Sequence, residues 1–377
     1  MSRPQFEIAD VIKQFGEQFY AAHNPNEFQR QVLRALSSCR TSKQGYHAQA
    51  CDHCGQIHIS YNSCRNRHCP KCQTSKQAIW VDDLLESVLP VKHYHIVFTV
   101  PHELNTICML DSAAFYGLLF ASVWDTLRCF GYTKYGVETA AVCVLHTWGQ
   151  NLSLHPHIHC IVPAAGQTLA GNMKHIASDG RFMYPVFQLS KAFRAKMLDG
   201  LKRQLKEKAL LQTHQSLLDS VWQKPWVVYC EPSMGKPEQV VKYLGQYTHR
   251  VAISNQRIIN IDDNDVTFMH KDYAHGATLK PIKISGVEFL RRFCLHILPL
   301  RFVKIRRYGI YSSRHSALNK KIEKKMTIKP LQETVQERIL RLTGFDILLC
   351  QSCKKGRLHT IEIVPRVRSP TVFVQKE

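Results

Sequence analysis

Two pairs of side chains in this chain have the types and spacing of a metal site and of a pair of nucleophiles. His157 and His159 lie two residues apart in the run HPHIHCIV, residues 155–162. Residues two apart in a β-strand point to the same face, so both imidazoles would project together as metal ligands. Tyr243 and Tyr247 lie four apart in a segment that reads as a helix, which would place both phenols on one face. This combination suits cleavage of a phosphodiester by a tyrosine.

Each pair, taken alone, also fits an ordinary structural role. Two histidines on a strand can pack in a core or lie on the surface, and tyrosines four apart on a helix often form an aromatic packing stripe. The predicted strand around the histidines and the predicted helix around the tyrosines together favour the chemical interpretation.

The elements that would position these residues form an α+β pattern. Residues 5–38 carry apolar side chains at helical spacing, interrupted by Asn24-Pro25-Asn26. Further helices are predicted at 77–89, 111–130, 187–212, 237–248 and 286–296, and strands at 93–101, 139–148, 156–163 and 226–230. The strands at 139–148 and 156–163 should form an antiparallel hairpin.

Three regions are expected. Residues 1–89 would form a helical, zinc-binding domain that recognises DNA. Residues 90–285 would form a catalytic domain, an antiparallel sheet flanked by helices. Residues 286–377 would form a basic C-terminal region with a CxxC motif.

Two CxxC motifs predict a structural Zn²⁺ site. Cys51 and Cys54 form the first motif, and Cys69 and Cys72 form the second. Thiolates three positions apart on a tight turn can both reach one ion, and two such turns complete a tetrahedron. A redox role is disfavoured because the motif occurs twice in one region.

Other residues could form further metal sites. Cys39, His47, Cys64 and His68 flank the same motifs, and could form a second zinc site or be unrelated core and surface residues. A further pair, Cys350 and Cys353, stands near the end of the chain. It could bind an ion with His359 or with another element.

The charge of the chain predicts a polyanionic partner. Fifty Lys and Arg residues against 29 Asp and Glu give a net charge of +21. Between residues 291 and 329 there are twelve basic residues and one acidic one, with Phe302, Tyr308 and Tyr311 interleaved, a pattern that suits single-stranded DNA. The arginines expected to contact DNA are Arg65, Arg67, Arg250, Arg291, Arg292, Arg306 and Arg307.

Neither a secretory signal nor a membrane span is expected. The first residues, MSRPQFE, lack an apolar stretch behind a basic start, and no run approaches the length of a membrane helix. We therefore expect a cytoplasmic protein with reduced cysteines that acts at the nucleoid.

Several blocks, in a fixed order, resemble the rolling-circle insertion-sequence transposases of bacteria. They are SCRNRHCPKCQ at 63–73, HIVFTVP at 95–101, LHPHIH at 154–159, KYLGQYTHRVAIS at 242–254, FLRRF at 289–293 and RRYG at 306–309. By this resemblance the chain is identified as a member of the HUH endonucleases, relatives of Helitron and plasmid Rep proteins. It is similar to the two-tyrosine type with an N-terminal zinc-binding domain.

The resemblance implies a fold, a reaction and its cofactors. The fold is an HUH core preceded by the zinc domain. His157 and His159 would bind a catalytic Mg²⁺ or Mn²⁺, and Tyr243 and Tyr247 would attack DNA to form a 5′-phosphotyrosine. The partners implied are single-stranded DNA at element ends and target DNA. The structural ion implied is Zn²⁺.

A third ligand for the catalytic cation is expected on the strand before the histidine pair. Rep-like relatives carry an acidic or amide residue there, which favours Gln150, at the end of the preceding predicted strand. His155 and His95 are the alternatives. Arg250, just after the tyrosine helix, is expected to steady the phosphate.

The sequence therefore favours a transposase that nicks and transfers single-stranded DNA. A plasmid replication initiator or relaxase would use the same chemistry, but the preceding zinc cluster makes it a weaker fit. A zinc-containing DNA-binding regulator without catalysis is the third interpretation. Covalent attachment to cut DNA would separate the two enzymes from the regulator.

Overall fold

Helices and antiparallel strands alternate along the computed structural model, which describes residues 4–176, 183–231, 251–272, 276–313 and 333–366. The helices are α1 (Ile8–His23), α2 (Glu27–Ser37), α3 (Pro70–Ser87), α4 (Asn105–Leu110), α5 (Ser112–Phe130), α6 (Val186–Glu207), α7 (Leu211–Gln223), α8 (Gly286–Cys294) and α9 (Val335–Thr343). The strands are β1 (Tyr46–Cys51), β2 (Ile57–Tyr61), β3 (His93–Thr99), β4 (Val137–Glu138), β5 (Ala140–Trp148), β6 (Leu154–Pro163), β7 (Ala165–Thr168), β8 (Met173–His175), β9 (Val228–Glu231), β10 (Ile258–Ile261), β11 (Asp265–Asp272), β12 (Thr278–Ser285), β13 (Ile305–Gly309) and β14 (Leu358–Val364).

A five-stranded sheet has the order β13-β5-β6-β3-β9, and every neighbouring pair in it is antiparallel. Side chains alternate between its faces, so Ile158 and Cys160 of β6 enter an apolar core shared with α5 and α6. Phe98 of β3 meets Phe193 of α6 in this core, with ring centroids 5.1 Å apart. His157 and His159 consequently point to the opposite face.

Among the described residues, that opposite face is covered over only part of its length. Ala140, Val142 and Ile161 pack there against Leu84 of α3 and Tyr311. The part that carries the histidines borders a cleft instead. The described apolar cover therefore lies at one end of the sheet, and the polar cleft lies at the other.

A second core joins the first two helices to residues far along the chain. Phe15 of α1 and Leu33 of α2 pack with Phe289 of α8 and with Phe268 of β11. A Cβ at Gly286 would lie 2.1 Å from the Phe15 ring. The start of α8 is therefore so close to α1 that only glycine fits at this position.

The C-terminal third of the chain contributes strands to two other parts of the molecule. β13 extends the five-stranded sheet by pairing with β5. β14 pairs with β1, which pairs with β2 on its other side. The region predicted at 286–377 thus supplies edge strands to the two regions predicted at 1–89 and 90–285.

The predicted α+β class, an antiparallel sheet flanked by helices, is confirmed, and so is the hairpin of β5 and β6. Two predicted helices differ from the observed ones. α3 begins at Pro70 rather than at residue 77, because proline suits the first helical turn. The helix predicted at 187–212 is two helices, since Ala209 adopts a left-handed conformation with φ of 56°. Within the described ranges, no helix is long and apolar enough to cross a membrane.

Glu288 of α8 holds two arginines that were expected to contact DNA. Its carboxylate accepts hydrogen bonds from Arg291 Nε at 2.6 Å and from Arg292 Nε at 2.7 Å. These guanidinium groups lower the pKa of Glu288 from 4.5 to about 2. The contribution of this carboxylate to stability is therefore complete above pH 4.5 and is lost as the pH falls towards 2.

We predict that Glu288→Gln lowers the free energy of unfolding by about 1 kcal/mol at pH 7. The difference from the wild type should shrink steadily as the pH falls from 5 towards 3. Urea unfolding of the wild type and the variant, prepared identically at each of several pH values, measures this difference. Exposed Glu17→Gln on α1 is the control, and a pH-independent effect of Glu288→Gln would contradict the ion-pair interpretation.

Candidate functional site

Three histidines meet on the open face of the five-stranded sheet. His146 of β5 stands directly opposite His157 of β6, and His159 follows two residues later on β6. One ring nitrogen from each of the three lies within 4.8 Å of the others. The ring centroids of His146 and His159 are 4.6 Å apart, and those of His157 and His159 are 5.0 Å apart. Three imidazoles at this spacing can bind one divalent cation.

Neighbouring groups fix how two of the rings are oriented. His157 Nδ1 lies 2.7 Å from the carbonyl oxygen of His155 and donates to it, which makes Nε2 the ligand atom. His159 Nδ1 shares a hydrogen bond of 2.8 Å with Nε2 of His95, whose ring is parallel to it within 3°. His95 lies on β3, so three adjacent strands hold the site.

Burial keeps His157 in the form that binds metal. Loss of water contact lowers the pKa of His157 from 6.5 to about 4. The ring is therefore neutral at pH 7, with a lone pair for a cation.

The histidines line a cleft of about 660 Å³ that also contains Gln150, His155 and Asp272. Gln150, the predicted third ligand, borders this cleft from the β5–β6 turn, and the structure also brings His146 beside His157 and His159. His155 supplies the carbonyl that orients His157, and His95 orients His159. His146 lies in the strand predicted at 139–148, and its position opposite His157 follows from the hairpin register. The sequence alone does not fix that register, because a slip of one residue would turn His146 to the other face.

Tyr243, Tyr247 and Arg250 lie outside the described residues. The chain is described up to Glu231 of β9, which pairs with His95 of β3. It is described again from Val251, which lines a small cavity with Thr147 and Trp148 of β5. Both described ends of the tyrosine segment therefore lie beside the strands that carry the histidines.

Four cysteines converge at the base of the β1–β2 hairpin. They are Cys39, Cys64, Cys69 and Cys72, and their sulfur atoms lie within 4.8 Å of one another. Cys72 Sγ is 3.6 Å from Cys39 Sγ and 3.7 Å from Cys64 Sγ. A tetrahedron with Zn–S bonds of about 2.3 Å has edges of about 3.8 Å, so the group fits zinc.

The predicted set of Cys51, Cys54, Cys69 and Cys72 is not brought together, and this grouping is corrected. Cys51 and Cys54 lie at the tip of the β1–β2 hairpin, where they meet Cys350 and Cys353. At the opposite end of the hairpin, the N–H of Asn62 donates to the carbonyl oxygen of Gly45 at 2.9 Å. The six residues of β1 span roughly 20 Å, which separates the two CxxC motifs.

The possible second site of Cys39, His47, Cys64 and His68 is also regrouped. Its two cysteines join Cys69 and Cys72, while His47 lies on β1, outside every candidate metal group among the described residues. Burial and the nearby Arg67 lower the pKa of His68 to about 3, so its ring is neutral.

Most described arginines of the predicted DNA surface make contacts within the protein. Arg67 donates to the carbonyl oxygens of Pro299, at 2.9 Å, and Phe302. Arg291 and Arg292 are held by Glu288, and the Arg306 guanidinium lies 4.3 Å from the centre of the Phe120 ring. By contrast, the side chains of Arg65 and Arg307 are exposed.

The aromatic residues expected to stack on DNA bases are used in packing. Tyr308 stacks on Trp124 with ring centroids 5.1 Å apart, and Phe302 packs edge-on against Tyr116. Tyr311 is 4% exposed and its hydroxyl binds His93 Nε2 at 2.7 Å. The described part of the basic segment could therefore contact DNA through its charged side chains rather than through aromatic rings.

Comparison with known proteins adds independent information. A family model described as "Putative transposase" matches residues 140–319, and one described as "Transposase zinc-binding domain" matches residues 11–100. A "Putative transposase y4qJ" of Sinorhizobium fredii is 38% identical, and the alignment covers 98% of each chain. The "Transposase for insertion sequence element IS801" of Pseudomonas savastanoi pv. phaseolicola is 23% identical over 75% of this chain and 70% of that protein.

No solved structure matches the chain significantly. The two family models cover the cysteine cluster at the base of the hairpin and the strands that carry the three histidines. The near full-length match, together with these models, shows that the chain belongs to the bacterial insertion-sequence transposases that carry an N-terminal zinc-binding domain.

Proposed function

We propose that this transposase nicks single-stranded DNA at the ends of its element and transfers it through a 5′-phosphotyrosine intermediate. The observation that supports this most is the group of three histidines on one face of the sheet, with nitrogens within 4.8 Å of one another. His146, His157 and His159 would hold Mg²⁺ or Mn²⁺. A divalent cation held there would offset the charge of the scissile phosphate.

The nucleophile proposed is the phenol of Tyr243 or Tyr247. The phenol loses its proton as its oxygen forms a bond to phosphorus, the bond from phosphorus to the 3′ oxygen breaks, and that oxygen takes up a proton and leaves as a 3′-OH. One phosphodiester is exchanged for another, so a second 3′-OH can later attack and release the tyrosine without ATP. Two tyrosines allow two successive transfers.

The charge of the chain supports DNA as the partner. The excess of 21 positive charges attracts phosphates over a long range. The side chains of Arg65, beside the cysteine group, and of Arg307, on the edge strand β13, are exposed, which supports them as candidates for contact with a backbone phosphate. Arg250 remains a proposed phosphate contact on the basis of the sequence.

Zinc in the N-terminal domain is proposed to be held by Cys39, Cys64, Cys69 and Cys72. Cys69 precedes α3 and Cys39 follows α2, so an ion at this point would tie the two helices together. Cys39, Cys69 and Cys72 also belong to the core shared with α1 and α8. The ion would therefore support the packing between the zinc domain and the remainder of the chain.

We predict that the double variant Tyr243→Phe/Tyr247→Phe forms no covalent adduct with DNA, because phenylalanine lacks the attacking oxygen. Labelled single-stranded DNA carrying an element end, incubated with Mn²⁺ and run on a denaturing gel, measures the adduct. Each single variant should retain part of the adduct or lose strand transfer.

Tyr132→Phe, an exposed tyrosine just beyond α5, is the matched control and should react like the wild type. An adduct of wild-type yield in the double variant would refute the nucleophile assignment. Tight DNA binding by the wild type without any cleavage would instead favour a regulator.

We predict that His146→Ala and His157→Ala each lower metal-dependent cleavage by roughly 100-fold or more, since a metal ligand contributes at least as much as the groups that orient it. Gln150→Ala should have a smaller effect, because Gln150 only borders the cleft. Initial cleavage rates over a Mn²⁺ titration separate the variants.

The control for this series is His270→Ala. His270 also lines the cleft, but its ring nitrogen Nδ1 forms a hydrogen bond of 3.0 Å with the carbonyl oxygen of Lys280. Circular dichroism and DNA-binding affinity should be unchanged in all of these variants. If Gln150→Ala abolished cleavage and His146→Ala did not, the three-histidine ligand set would be wrong.

A further inference from the structure

A second group of four cysteines joins the two ends of the chain. Cys51 is the last residue of β1 and Cys54 follows it, whereas Cys350 and Cys353 lie just before β14, and Cys350 comes 296 positions after Cys54. The four sulfur atoms lie within 4.8 Å of one another. Cys350 and Cys353 lie outside the segments matched by both family models, which end at residues 100 and 319.

We propose that these four cysteines bind a second structural Zn²⁺, which fastens the C-terminal segment to the zinc domain. Cys51 Sγ lies 3.7 Å from Cys353 Sγ, and Cys54 Sγ lies 3.8 Å from Cys350 Sγ. These distances match the roughly 3.8 Å edge of a tetrahedron with Zn–S bonds of about 2.3 Å. A disulfide would need about 2.05 Å, so the sulfurs are spaced for a shared ion.

The two CxxC segments form the same turn, although their sequences differ. The N–H of Gly55 donates to Cys51 O at 3.0 Å, and the N–H of Lys354 donates to Cys350 O at 2.9 Å. The residue after each second cysteine is left-handed, with φ of 70° at Gly55 and 56° at Lys354. A lysine in this conformation costs about 1 kcal/mol, so the structure around Cys350 and Cys353 must impose it.

Backbone N–H groups are directed at the sulfurs, as expected for thiolates. His53 N–H points to Cys51 Sγ, with 3.4 Å between nitrogen and sulfur, and Gly356 N–H points to Cys353 Sγ at 3.3 Å. Such bonds stabilise negative charge on sulfur, and a thiolate is the form that binds zinc. Lys354 and Lys355 are exposed beside the group and add positive charge.

The two CxxC turns are also in direct contact. A Cβ at Gly356 would lie 2.4 Å from Cys51 Sγ, so only glycine fits there. Asp52 N–H donates to Arg357 O at 3.1 Å, and the Asp52 carboxylate accepts from Arg357 N–H at 2.7 Å. These bonds lead directly into the pairing of β14 with β1, in which Cys51 stands opposite Leu358. The ion would therefore lock the register of an edge strand.

Zinc counting by plasma mass spectrometry tests the proposal on the full-length protein. Cys350→Ser/Cys353→Ser should contain one zinc ion per chain fewer than the wild type. Adding Cys51→Ser to that variant should remove no further zinc, whereas adding Cys69→Ser should remove one more ion. Cys129→Ser, an exposed cysteine outside both groups, is the matched control and should keep the zinc content of the wild type.

The ion that Cys69→Ser removes from Cys350→Ser/Cys353→Ser shows that the other cysteine group of that variant is still intact. An equal zinc content in the wild type and in Cys350→Ser/Cys353→Ser would overturn the proposal. The difference does not depend on DNA cleavage or on zinc at the histidines, so it stands apart from the tests of the tyrosines and histidines.

Thiol alkylation of the wild type gives a second measurement that needs no variant. Cys54 and Cys129 are both exposed, yet Cys54 should react with N-ethylmaleimide roughly tenfold or more slowly while zinc is bound. A chelator should remove this protection from Cys54, Cys350 and Cys353 together. Equal reaction rates of Cys54 and Cys129 in zinc-loaded protein would contradict a metal at this point.

Discussion

The antiparallel pairing of β5 with β6 is the interaction on which the site depends. Its register places His146 opposite His157 and Val144 opposite His159. A slip of one residue would move His146 into the apolar core and break the group of three histidines. The alternation that points the histidines outwards also sends Ile158 and Cys160 into the core with α5 and α6, so burial of one face fixes the geometry of the other.

The remaining strands support this pair from both sides. β3 supplies His95, which orients His159, and β9, which pairs with β3, precedes in sequence the segment that contains the two tyrosines. β13 covers the free edge of β5. A site held by several adjacent strands keeps its ligands in place without metal, which reduces the free energy needed to organise them on binding.

Distant parts of the chain meet at the N-terminal helices. α8 packs on α1 through Gly286 and Phe15, and β14 pairs with β1 beside the proposed second zinc site. The zinc-binding part is therefore assembled from both ends of the sequence. Several basic side chains also serve this assembly: Arg67 fastens the cysteine region to the loop around Pro299, and Arg292 donates to Asn151 O at 3.0 Å in the β5–β6 turn.

The sequence by itself determined the local features. Segments typical of strands, such as the run of β-branched and aromatic residues at 93–101, predicted β3, β5 and β6, the Asn-Pro-Asn break separated α1 from α2, and the CxxC spacing predicted turns that bind metal. The resemblance to transposases rested on motifs of this local kind, and the comparisons confirmed it. These features need only the conformational preferences of neighbouring residues.

Tertiary structure decided which of these features share a site. CxxC motifs look alike in sequence. In the structure, the β1–β2 hairpin separates the first two motifs, so that Cys51 and Cys54 join Cys350 and Cys353, while Cys69 and Cys72 join Cys39 and Cys64. Likewise, His146 joins His157 and His159 as a candidate ligand because strand register, not distance along the chain, brings side chains together. Charge and aromatic spacing could not show that Arg306 and Tyr308 pack against α5, since such contacts form only once the sheet and helices have met.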